Sequence, residues 1–438
     1  MDGLASRHKR ERDYNDRRFS TCKEEAQHMT LGGPSMRSRS GRGILAATGI
    51  AVAALIGALT AALTAAQTAP QQQPLLSDQV FKNVQALKGI PVDEFLGTMG
   101  LMAAALQFDC SDCHVNAGTA NVDWAADTPR KIMARRMVNM VATINQANFG
   151  GRQLVTCWTC HRNRDKPLVT PTLATIYGSP TIEPDDVITQ FPGLDSPESI
   201  LDKYIQASGG AQRLAGLTSI SAKGISVSFG GFGGDGAVEI VARAPDKRST
   251  IILFKAETNR GDQIRSYNGS TGWVRTPLNV VGEFQLVGSD LDGARVDAQL
   301  SFPGQIKNIL TSLKSGPPTT ITDLPAPTSQ SSLVQGSTGN QSHIVDVVQG
   351  TGQRGLLVTL YFDQQTGLLL RELRYGLSPI GRVPTQIDFA DYRDVNGIKL
   401  PFRITYAWLD GRDAIVLNQI QTNVPVDEAK FGRPAPLK

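Results

Sequence analysis

Cysteine and histidine are scarce here, with five of each in 438 residues. Charge of one sign is also lacking. The formal net charge is only +4, which points away from a nucleic-acid partner. From residue 197 onward there is no cysteine and one histidine, His343. A lone histidine at a strand start reads as a surface or packing residue rather than a catalytic one. The Gly-rich stretch 229–236 is followed by no Lys-Ser/Thr, so it reads as a hairpin tip and not as a phosphate cradle. Hydrophobic content of 40% is ordinary for a globular protein, and the length accommodates two or three folded domains.

Against that scarcity, four of the five cysteines fall into two copies of one pattern. They are Cys110-Ser111-Asp112-Cys113-His114 and Cys157-Trp158-Thr159-Cys160-His161. C-x-x-C-H is the attachment motif of c-type haem. The two thiols add across the haem vinyl groups. The three-residue step between them brings both sulfurs to one edge of the macrocycle, and the following histidine reaches the iron as an axial ligand. Zinc ribbons also use paired C-x-x-C, commonly about 15–20 residues apart. Here 43 residues separate Cys113 from Cys157, which suits a closed zinc knot poorly. A thiol redox pair or a structural disulfide does not call for a histidine after each pair. Cys22, outside both motifs, reads as an incidental thiol.

Residues 1–42 carry ten Lys/Arg against six acidic residues and show no apolar periodicity. They read as a basic disordered cytoplasmic tail. From Ile44 to Leu63 the chain runs twenty residues without a charge, and Arg37, Arg39 and Arg42 precede it. This predicts a transmembrane anchor over 43–66, with the tail inside and the rest in the periplasm of a bacterial inner membrane. An alternative takes Met36 as the start, makes the segment a signal peptide and cleaves near Ala66. Either way the haem motifs are exported, as covalent haem attachment requires. Residues 67–76 are a linker.

Residues 77–165 form the expected dihaem domain. Pro91-Val92-Asp93-Glu94 opens a helix, and Phe95, Met99, Met102 and Leu106 make its apolar stripe before the first motif. Asp127 or Thr128 caps a second helix opened by Pro129. Met133, Met137, Met140 or Val141, and Ile144 line its apolar face before the second motif. A haem with one histidine takes a sixth ligand, commonly a Met thioether. Spacing does not choose between Met99 and Met102, or among Met133, Met137 and Met140.

The stretches VDEFLGTMGLMAAALQFDCSDCH and ARRMVNMVATINQANFGGRQLVTCWTCHRN resemble the cytochrome c subunit of the bacterial photosynthetic reaction centre. That resemblance implies a repeated unit of Met-bearing helix, turn and C-x-x-C-H. It implies Met99, four residues after Phe95, with His114 at one iron. It implies Met137, after Arg135-Arg136, with His161 at the other. The family carries four haems, whereas this chain has cysteines for two. The loop 146–153 also lacks the histidine that the family supplies to a further haem.

Residues 166–196, rich in proline, read as a linker. A short helix from Pro197 to Ala207 then precedes alternating patterns. Ten strands are expected between Ser219 and Leu409, with turns at 363–367 and at Asn396-Gly397. Residues 324–342 read as a loop. Residues 197–438 are similar to the periplasmic lipoprotein-carrier half-barrel. The expected fold class is therefore multidomain: a membrane helix, a small mostly α dihaem c-type cytochrome domain, then an all-β or α+β curved antiparallel half-barrel.

The function implied is a membrane-anchored electron carrier with two covalently bound haem c groups, passing single electrons between a donor and an acceptor protein. It has no substrate in the usual sense. A second reading makes the half-barrel the working part, holding a hydrophobic ligand while the haems sense redox state or a gas. A peroxidase-like activity is a third, and the sequence supplies no obvious acid or base for it.

Overall fold

A computed structural model describes residues 73–435 apart from 120, 168, 171–187, 191, 230–235, 255–261, 277–280, 324–340 and 410. The expected tail and anchor, most of the 166–196 linker, the Gly-rich tip and the 324–342 loop lie largely or wholly outside those residues. Among the described residues no helix is long and apolar enough to cross a membrane.

The haem-motif region is built from short and long helices in alternation. These are α1 (Ser77–Val80), α2 (Val92–Leu106), α3 (Cys110–Cys113), α4 (Pro129–Phe149) and α5 (Cys157–His161). Pro91 precedes α2, and Asp93 and Glu94 fill its first turn, where carboxylates meet the positive end of the helix dipole. Gln107, in the left-handed conformation, stops it. Thr128 caps α4 by accepting from Lys131 N at 3.2 Å, with Pro129 as its first residue, and Gly150 ends it at φ +60°.

Helix α6 (Pro197–Ser208) follows, capped by Ser196 and ended at Gly209, then α7 (Ala211–Ala215). Gly209 has φ +135°, and a Cβ there would stand 2.6 Å from the Gly397 carbonyl, so the helix end and the Asn396-Gly397 turn meet backbone to backbone. Both turn residues are left-handed, at φ +56° and +80°, as a two-residue hairpin loop demands.

Thirteen strands are seen among the described residues, and all their pairings are antiparallel. They are β1 (Ser219–Phe229), β2 (Gly236–Arg243), β3 (Lys247–Phe254), β4 (Asp262–Asn268), β5 (Gly272–Arg275) and β6 (Glu283–Leu286). Helix α8 (Gly288–Leu300) then crosses to β7 (Thr311–Thr322). The chain returns through β8 (Ser342–Thr351), β9 (Leu357–Asp363), β10 (Leu369–Ser378), β11 (Gly381–Val395), β12 (Ile398–Ala407) and β13 (Arg412–Thr422). The spatial order β6-β5-β4-β3-β2-β1-β13-β12-β11-β10-β9-β8-β7 shows two meanders joined where β1 pairs with β13.

The alternating pattern located ten of these strands; β6, β7, β13, α7 and α8 were not legible in it. Helix α8 is buried nearly all round. Leu291, Ala294 and Ala298 pack in one apolar cluster and Val296 in the main core, but the buried Asp292, Arg295 and Asp297 between them break up its apolar pattern. The main core lies between the sheet and α6, α8 and the turn Pro303–Asn308. It includes Leu201, Tyr204, Val296, Ile306, Leu360, Phe362 and Ile415.

Residues 72–438 form one compact unit. Val92 of α2 packs among Phe284, Leu286 and Leu291, and the buried Asp93 accepts from Val287 N at 3.1 Å. Leu101, further along α2, packs with Leu87, Val138 and Ile380, the last from the β10–β11 turn. The haem-motif helices are thereby seated on the tip of the β10–β11 hairpin.

Candidate haem sites

The first motif is one helical turn closed on itself. Asp109 accepts from Ser111 N at 2.7 Å and from Asp112 N at 3.2 Å, while Asp112 accepts from Asp109 N at 3.0 Å. This reciprocal cap holds Cys110 and Cys113 on one turn. The bonds from Ser111 keep the Asp109 carboxyl below the usual carboxylate range. Helix α4 is tied to the turn at its amino end. Thr128 Oγ1 donates to the Cys113 carbonyl at 3.0 Å, and Arg130 pairs with Asp112. His114 stands edge-on to Trp124, with ring centres 5.0 Å apart. Its Nδ1 is buried and has no hydrogen-bond partner of normal geometry among the described residues. Burial, then the charge of Lys131, lowers the His114 pKa and favours the neutral imidazole that a metal needs.

The second motif repeats the device with threonines. Thr156 Oγ1 accepts from Thr159 N at 3.3 Å, and Thr159 Oγ1 accepts from Thr156 N at 3.0 Å. Arg162 and Asn163, both left-handed, end the turn. His161 Nδ1 lies 3.0 Å from the Arg164 carbonyl. As the donor in that bond, Nδ1 carries the proton and leaves the Nε2 lone pair for iron. Arg164 N in turn donates to Ala105 O at 3.1 Å, joining this motif to the last turn of α2.

Asn145 was not anticipated. It is buried on α4, accepts from Leu154 N at 3.1 Å and Val155 N at 2.9 Å, and donates to Val155 O at 2.7 Å. One amide thus pins the loop that leads into α5. The available signal was its position four residues after Val141, an amide on an otherwise apolar face.

None of the four motif cysteines is in a disulfide. Cys110 and Cys160 are exposed, and burial pushes the half-buried Cys113 and Cys157 thiols up. Among the described residues no three of His, Cys, Asp or Glu converge as a metal cluster, so the two pairs do not form the closed knot of a zinc ribbon. Paired cysteines on capped turns, a histidine whose Nδ1 is held by a carbonyl and a buried ring nitrogen with no hydrogen-bond partner among the described residues all fit covalent haem.

Met99 and Met102 are half-buried in the cluster of Leu87, Leu101, Val138 and Ile380, and Cys157 joins the same cluster. Helix α2 therefore lies beside the second motif, and α4 touches both. The expected apolar face of α4 is corrected in part. The helix buries Val138, Val141 and Asn145 and leaves Met133 and Met140 50% and 43% exposed, with Met137 half-buried between them. A methionine stripe left uncovered beside two attachment motifs is the surface a haem face would cover.

The sheet half carries a separate polar cluster. Arg374 donates to both Asp297 oxygens at 2.7 and 3.3 Å, to Glu372 at 3.1 Å and to the Gly293 carbonyl at 3.1 Å. One guanidinium serves two buried carboxylates. Asp297 keeps its charge, while burial, opposed by Arg374, pushes the Glu372 carboxyl up to about 7. The neighbouring apolar cavity, lined by Tyr204, Ile240, Phe389, Leu400 and Arg248, measures about 70 Å³. Ordinary small-molecule sites run to roughly 300–1,000 Å³, so a ligand-carrying half-barrel is not the favoured reading. His343 lies 3.3 Å from Asp323 and 3.7 Å from Asp363.

Residues 38–175 match the family described as the photosynthetic reaction centre cytochrome C subunit. A photosynthetic reaction center cytochrome c subunit of Thermochromatium tepidum is 34% identical over 100 residues, covering 21% of this chain and 22% of that protein. The chain thus spans about a fifth of the length of the curated relative it matches. The sheet half resembles solved structures at low identity. A DUF1329 family protein from Desulfovibrio piger is 13% identical with a TM-score of 0.33, over 55% of this chain and 98% of its own. A LolA superfamily protein from Nitrosomonas europaea is also 13% identical, with a TM-score of 0.32 over the same shares. Both are likenesses of chain path alone.

Proposed function

We propose that the chain is a dihaem c-type cytochrome that passes single electrons between a donor and an acceptor protein. The observation that carries this reading is the pair of C-x-x-C-H turns. Each is closed by its own reciprocal cap, and both are packed against α4. The likeness of residues 38–175 to the reaction-centre cytochrome subunit supports haem and electron transfer for that segment. When bound, each haem supplies a reversible one-electron centre, and the protein sets ligand, burial and approach.

The residues have distinct parts. Cys110 and Cys113 hold one haem and Cys157 and Cys160 the other. His114 and His161 are the histidine ligands. The Arg164 carbonyl orients His161, and the Trp124 ring packs on His114. Met99 with His114 and Met137 with His161 is the pairing we propose, although α2 also lies against the second motif. The segment 43–66 anchors the chain, placing the haems on the periplasmic side.

The test combines content and ligation. The full chain, produced with a c-type maturation system, should give two covalent haems by pyridine haemochrome and a far-red methionine–iron charge-transfer band. Two haems without that band would remove the Met ligands and reopen a gas-sensing or peroxidase reading. No covalent haem would end the cytochrome reading.

A further inference from the structure

The two haem units carry opposite charge. Residues 77–128 hold seven acidic residues against Lys82 and Lys88, and residues 129–166 hold eight Lys/Arg against Asp165 alone. Part of that basic charge is committed. Arg130 pairs with Asp112, Arg135 with Asp127, and Lys131 donates to the carbonyls of Trp124 and Ala126. Of the remaining five, Arg136 stands on α4 and four cluster in sequence about the second motif. Arg152, Arg162, Arg164 and Lys166 are exposed and show no ion pair among the described residues. They lie within fifteen residues of one another, on either side in sequence of Leu154 and Trp158, which are 55% and 48% exposed. Trp158 lies inside the attachment motif itself. An attached haem would bring two propionates, fewer than these four positive charges.

An exposed aromatic and an exposed leucine in one short stretch with three arginines and a lysine match the composition of a protein-binding patch, in which apolar residues sit among charge. A rim of one sign also steers the approach of an oppositely charged partner, raising on-rates by about 10–10³-fold at low salt. We propose that the face around Cys157–His161 docks a redox protein with an acidic docking surface, which exchanges one electron with the second haem. The proposal rests on the dihaem reading. In the exchange one iron loses an electron, the partner's metal centre gains it, and no bond or proton moves. An anionic membrane would also attract the patch, but lipid over the motif would shut the partner out from the haem nearest it.

The experiment uses the full-length holoprotein in its reduced form and two oxidised probes. One is plastocyanin, which is acidic, and the other is mitochondrial cytochrome c, which is basic. Haem content and the visible spectrum come first, and their failure would sink the dihaem reading rather than this one. The plastocyanin rate constant should fall at least tenfold from low to high salt. The triple variant Arg152→Glu, Arg162→Glu, Lys166→Glu should lower it at least tenfold at low salt without lowering the cytochrome c rate. A plastocyanin rate that is flat or rising with salt in the wild type overturns the proposal, whether or not the variant folds. So does a variant of unchanged spectrum that reacts like the wild type. Loss of binding to phosphatidylglycerol vesicles in the variant, with the plastocyanin rate unmoved, would assign the patch to a membrane instead.

Discussion

The thioether and carboxyl groups on α2 and α4 set the chemistry that single substitutions can read. Met99→Ala and Met137→Ala should each remove one methionine–iron band and lower that haem's potential. The drop should be on the order of a hundred millivolts, within the roughly 0.8 V that axial ligands span. Redox titration of each variant checks this, and an unmoved potential would reject that residue as the ligand. Asp93 makes a second case. Burial, then the nearby Asp290, raises its carboxyl to about 7. Between the ordinary carboxylate range near 4 and that value, the folded chain holds a proton that the unfolded chain has released. The contribution is therefore most favourable at low pH and is lost as pH rises through that window, by at most about 1.4 kcal/mol per pH unit. Denaturant titrations from pH 4 to 8 should show Asp93→Asn with a flatter slope than the wild type and a relative gain above pH 7.

Single turns such as α3 and α5 hold their cysteines through caps, because four or five residues cannot sustain a helix by propensity alone. Thr156→Ala removes the acceptor for Thr159 N and should cost about 1 kcal/mol. The contact between α2 and the β10–β11 hairpin is a tighter constraint. Gly381 has φ +151°, and a Cβ there would stand 2.7 Å from Leu101 Cδ2 and 3.5 Å from Thr156. Gly381→Ala should destabilise the protein by roughly 1–3 kcal/mol through overpacking. The melting temperature should drop accordingly, and an unchanged melt would show that this seat is soft.

At the scale of the molecule, the haem-motif helices share their core with the sheet half. Val92 and Leu101 bury against residues of the sheet half, and Gln153 Nε2 donates to Ser378 O at 2.9 Å. A fragment ending at residue 196 would expose those faces. It should bind a hydrophobic dye and melt less cooperatively than the full chain, even with its haems attached. A sharp melt at the full-length temperature would show that the haems alone complete its core.

The local chemistry was legible from the chain itself. The two C-x-x-C-H motifs, the proline-opened helices from Val92 and Pro129, the short helix from Pro197 and the Asn396-Gly397 turn all depend on neighbours a few residues away. Local sterics and hydrogen bonding decide such features. What only the tertiary structure decided is non-local. Strand β6 alternates but is only four residues long, β7 carries Pro317-Pro318 and β13 lacks clean alternation. Helix α8 takes charge inward because Arg374, 77 residues further on, meets Asp297 there. Asn145 and Gly381 gain their roles from the Leu154–Val155 loop and from Leu101, contacts that no periodicity encodes. The face α4 buries was settled the same way. Its methionines alone suggested one stripe, and packing against α2 and the Asn145-pinned loop chose Val138 and Val141.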